Sequence, residues 1–241
     1  QLLSPFGIRV MGWVSEIGAV AADHSHLTAE DVFARAESSA VRVADAVAEQ
    51  QIIEAIDQSK ERGDTLGGVV EVVATGLPPG LGSYVHYDRR IDGRLGGALL
   101  SLQSAKGVEI GLGFRMARLP GSQVHDEIFF DERSREFVRR SNNAGGTEGG
   151  MTSGAPLTVR VAFKPLSTLM SPLHSVDLRS KSEAVAAIER SDVCAIAAAA
   201  VIAESVVAFE LARVFLEKFG GDSLLEIRRN YEGYLEQVRR Y

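Results

Sequence analysis

The run from Gly76 to Phe114, GLPPGLGSYVHYDRRIDGRLGGALLSLQSAKGVEIGLGF, constrains this chain more than any other segment. Two prolines in Gly76-Leu77-Pro78-Pro79-Gly80 remove backbone donors and restrict the residues before them, so the run must open on a turn. A strand is expected next, ahead of the paired Arg89-Arg90. Arg94–Ala105 then predicts a helix with a small-residue face, and Gly107–Phe114 predicts a glycine-flanked strand. Generic packing does not demand that order of side chains.

The flanking sequence predicts an α+β chain. Gly7–Val20 and Leu157–Phe163 alternate apolar and polar residues as half-buried strands do, the second around Arg160, while Gly67–Thr75 is a short apolar run of a buried strand. Thr28 with Asp31 marks a helix start. Ala46–Arg62 carries Val47, Ile52, Ile53 and Ile56 on one side and is ended by Gly63. Helices are also expected over Ser182–Glu189, Asp192–Phe219 and Ser223 to Arg239. There is no internal repeat or linker-like shift in composition, so residues 1–241 are expected to form one domain.

Composition narrows the function classes. The 241 residues are 45% apolar and 24% charged, typical of a globular protein with a sizeable core. The net charge of −6 argues against nucleic acid as the main partner, because phosphate binding needs a basic face. The only cysteine, Cys194, can form no intrachain disulfide, and its apolar neighbours make it a buried small residue. Val193–Ala203 is too short an apolar run for a membrane span, which needs about 20 residues. Neither GxGxxG nor Walker A is present, and no GxSxG elbow supports a hydrolase. His24 and His26 invite a metal reading, but no further ligand cluster completes it, and a solvated loop is expected there; no metal is predicted.

Three segments carry candidate chemistry. Asn142–Gly154, NNAGGTEGGMTSG, has glycines at 145, 146, 149, 150 and 154 that leave amides free to approach an anion; the alternative is a flexible surface loop. Lys164-Pro165-Leu166-Ser167-Thr168 follows a strand and offers one cation and two hydroxyls, or else a strand end with a solvated lysine. Arg190-Ser191-Asp192 opens a long alanine-rich helix, whose tip with Arg190 would seat an anion, or is simply a capped helix start with a surface arginine. His86, Asp88, Arg89 and Arg90 form a charged patch suited to a carboxylate, a phosphate or a subunit contact. His125-Asp126-Glu127 is a further polar group, although a histidine next to acids is also ordinary surface chemistry.

The order of Gly76–Phe114, Asn142–Gly154, Lys164–Thr168 and Glu189–Ala195 (ERSDVCA) closely resembles chorismate synthase. That resemblance implies a helical layer sandwiched between antiparallel β-sheets, a cytoplasmic homotetramer, and no membrane or nucleic-acid partner. It implies a 1,4-anti elimination of phosphate from 5-enolpyruvylshikimate 3-phosphate, requiring reduced FMN without net redox change, with NADPH as a reductant in some members. It places Gln103, Ser104, Gly149, Lys164, Pro165, Leu166, Ser167, Thr168 and Arg190 against the flavin. Arg190 is then implied to stabilise the departing anion, and Asp192 to exchange a proton with flavin N5. His125-Asp126-Glu127 also resembles a family motif. Family members carry sequence ahead of the equivalent of Gly7–Val20, with a Ser-His-Gly motif and two catalytic histidines, so this chain is expected to correspond to the C-terminal two thirds or so. Two rival expectations are a catalytically incomplete fragment and an unrelated phosphate- or nucleotide-binding module built on the glycine loop.

Overall fold

The computed structural model describes residues 1–133 and 136–240. Its centre is a sheet of five strands: β1 (Arg9–Ile17), β2 (Val20–Ala21), β3 (Gly68–Thr75), β4 (Ala105–Ile110) and β9 (Leu157–Phe163). They lie in the order β2-β1-β3-β9-β4, antiparallel throughout. In β9 the expected alternation holds: Leu157, Val159, Val161 and Phe163 are buried, while Thr158, Arg160 and Ala162 face the other way. Arg160 stands between Glu71 and Glu109 across the neighbouring strands and pairs with Glu109 at 2.6 Å.

Helices cover the buried face. α3 (Ile91–Leu100) lies on β4, and α4 (Ile196–Phe219) crosses β1 and β3. Close approach of α4 requires Gly12, where a Cβ would stand 3.0 Å from both Ala200 O and Glu204 Cβ. α5 (Leu224–Arg239) is capped by Ser223, whose side chain accepts from Glu226 N, and lays Tyr231 against Phe6, Phe215 and Phe219. On the opposite face, α1 (Ala29–Ala36) buries Val32 and Ala36 against Met11, Trp13 and Val73. Thr28 caps α1 by accepting from Asp31 N, as its sequence predicts. α2 (Ala46–Glu61) is capped by Asp45 and stops at Gly63, where φ is +69°.

The α+β class expected from sequence is therefore present, with a helical layer stacked on an antiparallel sheet. The other antiparallel pairs are two-stranded: β5 (Ile128–Asp131) with β6 (Glu136–Arg139), β7 (Thr147–Glu148) with β8 (Met151–Thr152), and β10 (His174–Val176) with β11 (Glu183–Val185). Ile202, Phe209 and Leu216, seven residues apart on α4, are 51%, 64% and 39% exposed and form one stripe. An exposed apolar stripe of this kind is a face that a further layer would cover. No helix among the described residues is long and apolar enough to cross a membrane.

Several expected elements are corrected. Ser182–Glu189 is not a helix; its middle forms β11, because Asp177 accepts from Arg179 N, Ser180 N and Ser180 Oγ and turns the chain back on β10. So short a helix would need tertiary packing to persist. The long helix starts at Ile196 instead of Asp192, since Leu66 N bonds Val193 O at 2.9 Å and holds 193–194 extended. The helix predicted over 94–105 runs from Ile91 to Leu100, after which Ser104 takes φ +67° to enter β4. β4 ends at Ile110, because Gly111 and Gly113 have positive φ and lead into a 3-10 turn. No strand lies between the Gly76–Gly80 turn and Arg89-Arg90; Tyr87–Arg89 is a single 3-10 turn.

Candidate functional site

One end of the sheet gathers most of the candidate residues. Here β9 ends, β3 begins, and residues 63–66 form a spine between two extended segments. Gly67 lets Pro165 pass over the start of β3, for a Cβ there would lie 2.4 Å from Phe163 O and 2.8 Å from Pro165 N. Lys164 N donates to Ser104 O at 2.9 Å, fixing the Gln103-Ser104 turn beside the lysine. Thr65 Oγ1 donates to Leu166 O at 2.6 Å, and Ser171 N donates to Gly63 O at 3.0 Å. Thr168 Oγ1 donates to Ser191 Oγ at 2.5 Å, and Ser191 Oγ in turn donates to Thr168 O at 3.1 Å.

The result is a shelf carrying Gln103, Ser104, Lys164–Thr168 and Arg190–Asp192. Lys164, Ser167, Arg190 and Asp192 are exposed on it. Neither Lys164 nor Arg190 has an ion-pair partner among the described residues, so both cations are available to an anion. Arg190 does not sit at a helix tip, however. α4 is capped by the backbone of Ala195 with no side-chain bond, and Ser191 serves Thr168 instead of the helix. The helix N-terminus expected at Arg190 is thus absent there, and the shelf carries two side-chain cations and several hydroxyls instead.

Thr65 was not legible as a site residue, although it is only 7% exposed and ties the shelf to β3. Nothing in Gly63-Asp64-Thr65 distinguishes it from an ordinary helix exit. Replacing it with Val removes the hydroxyl at constant shape and leaves Leu166 O without its donor. The expected loss is about 1–2 kcal/mol, measurable as a lower melting temperature with faster proteolysis at 164–171. An unchanged melting curve would show that Leu166 is held by something else.

Gly149 lies elsewhere. It occupies the tip of the β7–β8 hairpin, where Gly149 and Gly150 have φ of +60° and +86°. That hairpin sits at the Leu157 end of β9, since Thr158 N donates to Gly145 O, just before β7, at 3.1 Å. Leu157 and Phe163 are six strand steps of about 3.3 Å, roughly 20 Å, apart, so the hairpin and Lys164 lie at opposite ends of β9. Within one chain, Gly149 and the Lys164 shelf therefore do not meet.

The glycine loop is also less open than its composition predicts. A Cβ on Gly145 would come within 2.3 Å of Gly111 N, on Gly146 within 2.4 Å of Pro156 O, and on Gly150 within 2.7 Å of Ser83 O. Packing explains those three. At Gly149 nothing lies within 4 Å, so it alone of the four faces open space where a ligand can approach.

Three smaller expectations can be placed. Cys194 is half-buried, and burial pushes its thiol up, which disfavours a nucleophile. His24 and His26 lie in a loop as expected, with His26 exposed, but His24 packs edge-on to Trp13 at 6.3 Å, and burial lowers its pKa. Arg90 is engaged by Asp92 through two hydrogen bonds of 3.1 and 2.7 Å, leaving Arg89 as the more available cation of the pair.

The family model described as chorismate synthase matches residues 1–216. A chorismate synthase of Symbiobacterium thermophilum is 61% identical over all of this chain and 61% of its own length. One from Syntrophotalea carbinolica is 56% identical over the whole chain and 62% of its own length. A solved structure titled as the crystal structure of chorismate synthase superposes with a TM-score of 0.84 at 41% identity, over 99% of this chain and 66% of that one. The chain thus spans about three fifths of the length of the curated relatives it matches. With the match extending over most of its length and its fold superposing on a solved member, the chain belongs to the chorismate synthase family.

Proposed function

We propose that this chain carries the flavin- and substrate-holding part of a chorismate synthase, a lyase of aromatic biosynthesis. The activity is the 1,4-anti elimination of phosphate from 5-enolpyruvylshikimate 3-phosphate. The observation that carries the proposal is the hydrogen-bonded shelf itself. Segments 23 to about 100 residues apart are tied together at one end of the sheet, bringing Gln103-Ser104, Lys164–Thr168 and Arg190–Asp192 into one bonded group within a chain 61% identical to a named chorismate synthase.

The donor set fits reduced FMN. Ser104, Lys164, Ser167, Thr168 and Arg190 offer cations and hydroxyls to phosphate and ring edge, and Gly149 offers a backbone with no side chain in the way. The flavin supplies electron density for C–O cleavage when bound. The chain's residues do the rest. As the C–O bond breaks, its electron pair leaves with the phosphate, and Arg190 with Lys164 stabilises that growing charge. The ring C–H bond breaks as its electron pair forms the new double bond, so the hydrogen leaves as a proton overall, and Asp192 would take it up through exchange with flavin N5.

The shelf and the β7–β8 tip lie at opposite ends of β9, roughly 20 Å apart along the strand, and a second copy brought alongside would supply the tip to a flavin seated on the shelf. We therefore propose an assembly, a cytoplasmic homotetramer, in which the shelf of one chain faces the β7–β8 tip of another. NADPH enters only as an outside source of reducing equivalents. Residues 1–241 act in it as a single unit.

Anaerobic titration with reduced and oxidised FMN, with and without the enolpyruvyl phosphate substrate, tests this in protein extended to the relatives' full length. Preference for reduced FMN, tightened by substrate, is the expected result. Binding of simple phosphate with no preference for reduced flavin would support the phosphate-module alternative and defeat the proposal.

A further inference from the structure

The motif His125-Asp126-Glu127 has no part in the chemistry above, yet Asp126 is among the few buried charged residues, only 7% exposed. Its carboxylate accepts from Ser141 Oγ at 2.5 Å, Asn143 N at 2.8 Å and Ala144 N at 2.9 Å. Those are the residues that open the glycine loop. Asn143 Nδ2 adds a bond back to Val124 O at 3.0 Å, and Asn142 Oδ1 accepts from Gly146 N at 2.8 Å. The loop's entrance is thus held by a carboxylate and not by its own glycines.

A second strut leaves the same residue. Arg139, with a side chain only 15% exposed, donates through one guanidinium nitrogen to Asp126 O at 2.7 Å and through the other to Glu148 Oε2 at 2.6 Å. Glu148 is the last residue before the Gly149 tip. A planar guanidinium with two fixed donors sets both distance and angle between its partners. The tip is therefore braced on both sides from one residue, by the carboxylate on the way in and by Arg139 and Glu148 at its base.

We propose that Asp126 is a positioning residue for the ligand-facing tip at Gly149, its carboxylate acting through Ser141–Ala144 and its main-chain carbonyl seating Arg139, which holds Glu148. This rests on the flavin reading of Gly149. Burial alone would raise the Asp126 carboxyl, but its bonds from Ala144, Ser141 and Asn143 hold it below the ordinary carboxylate value, so it stays ionised as an acceptor.

The test compares Asp126→Asn, Glu148→Ala and a control, Ser223→Ala, which loses the α5 cap far from the loop. In Asp126→Asn the new amide keeps one acceptor but turns an NH2 toward the Ala144 N–H, so the loop entrance is disturbed without loss of volume. Removing outer partners of ligand-orienting groups costs about 10–100-fold in well-studied metal sites, and a loss of about tenfold in affinity for reduced FMN is expected here. Asp126→Asn and Glu148→Ala should both show it. Ser223→Ala should lower the melting temperature with affinity unchanged. Should Asp126→Asn fail to fold, Glu148→Ala, at an exposed position, decides alone. Wild-type affinity in the decisive variants would overturn this proposal only, whereas a wild-type protein that binds no reduced FMN would overturn it together with the flavin reading.

Discussion

Asp192→Asn is expected to slow turnover by about two to four orders of magnitude while reduced FMN still binds. The substitution keeps shape and removes one charge and one proton-accepting site. Asp192 is exposed on the shelf, beside Ser191 that is locked to Thr168, and it caps no helix. No structural duty is therefore lost with its carboxylate, and a large effect on rate would report chemistry. Single-turnover measurements with saturating flavin separate this from weakened binding. Unchanged turnover would remove Asp192 from the mechanism. Neutralising Arg190 should act differently, weakening the hold on the anionic substrate as well as the rate.

The second large effect is on stability and lies at the crossing of α4 over β1. Glu204 Oε2 accepts from Gly12 N at 3.1 Å and from an Arg42 guanidinium nitrogen at 3.0 Å. Arg42 also donates to Gly12 O at 3.0 Å, pairs with Glu37, and holds a φ of +61° that few non-glycine residues adopt. Its carbonyl accepts from Val14 N at 2.9 Å. Glu204→Ala leaves the Gly12 amide without its acceptor and takes one of two carboxylates from the Arg42 guanidinium, which keeps Glu37 and Gly12 O. Breaking a buried pair from one side costs about 3–5 kcal/mol, and the partners that Arg42 retains, with the partial exposure, favour the lower end. A fall of about 6–12 °C in melting temperature follows for a chain of this size.

Glu204→Gln should be nearly silent by comparison, since its amide oxygen still accepts from Gly12. Burial raises the Glu204 carboxyl above its ordinary 4.5, with Arg42 opposing. A raised folded value means that the fold favours the protonated form. Stability from this residue is then full below the ordinary value and declines as pH rises through the folded one. Glu204→Gln should remove that dependence. Equal losses for the Ala and Gln variants would contradict this account.

What the sequence disclosed and what it hid divide along contact range. The alternation of β9, the Thr28 cap and the stop at Gly63 depend on neighbours in sequence, and each is present as expected. The residues at 182–189 have helical composition, but a turn set by Asp177 pairs them with β10, a choice that composition does not record. Asp192 falls outside α4 because Leu66, far away in sequence, claims Val193. The shelf was foreseen as residues but not as an object, for Thr65 holds it together and nothing local marks Thr65. Most misleading was the glycine loop. Its composition promises open amides, yet Gly145 and Gly146 are spent on close approach to Gly111 and Pro156.

The claim that one flavin lies between two chains meets its most direct test in mixed assemblies. Lys164→Ala impairs the shelf, and Gly149→Asp, a residue that tolerates positive φ, places a negative charge at the hairpin tip. Each variant alone should bind reduced FMN poorly. Mixed subunits should regain sites that join an intact shelf to an intact tip, about a quarter of the total if subunits exchange at random in a closed symmetric assembly. Recovery of tight binding on mixing is the predicted result; mixtures that bind no better than the two variants apart would contradict it.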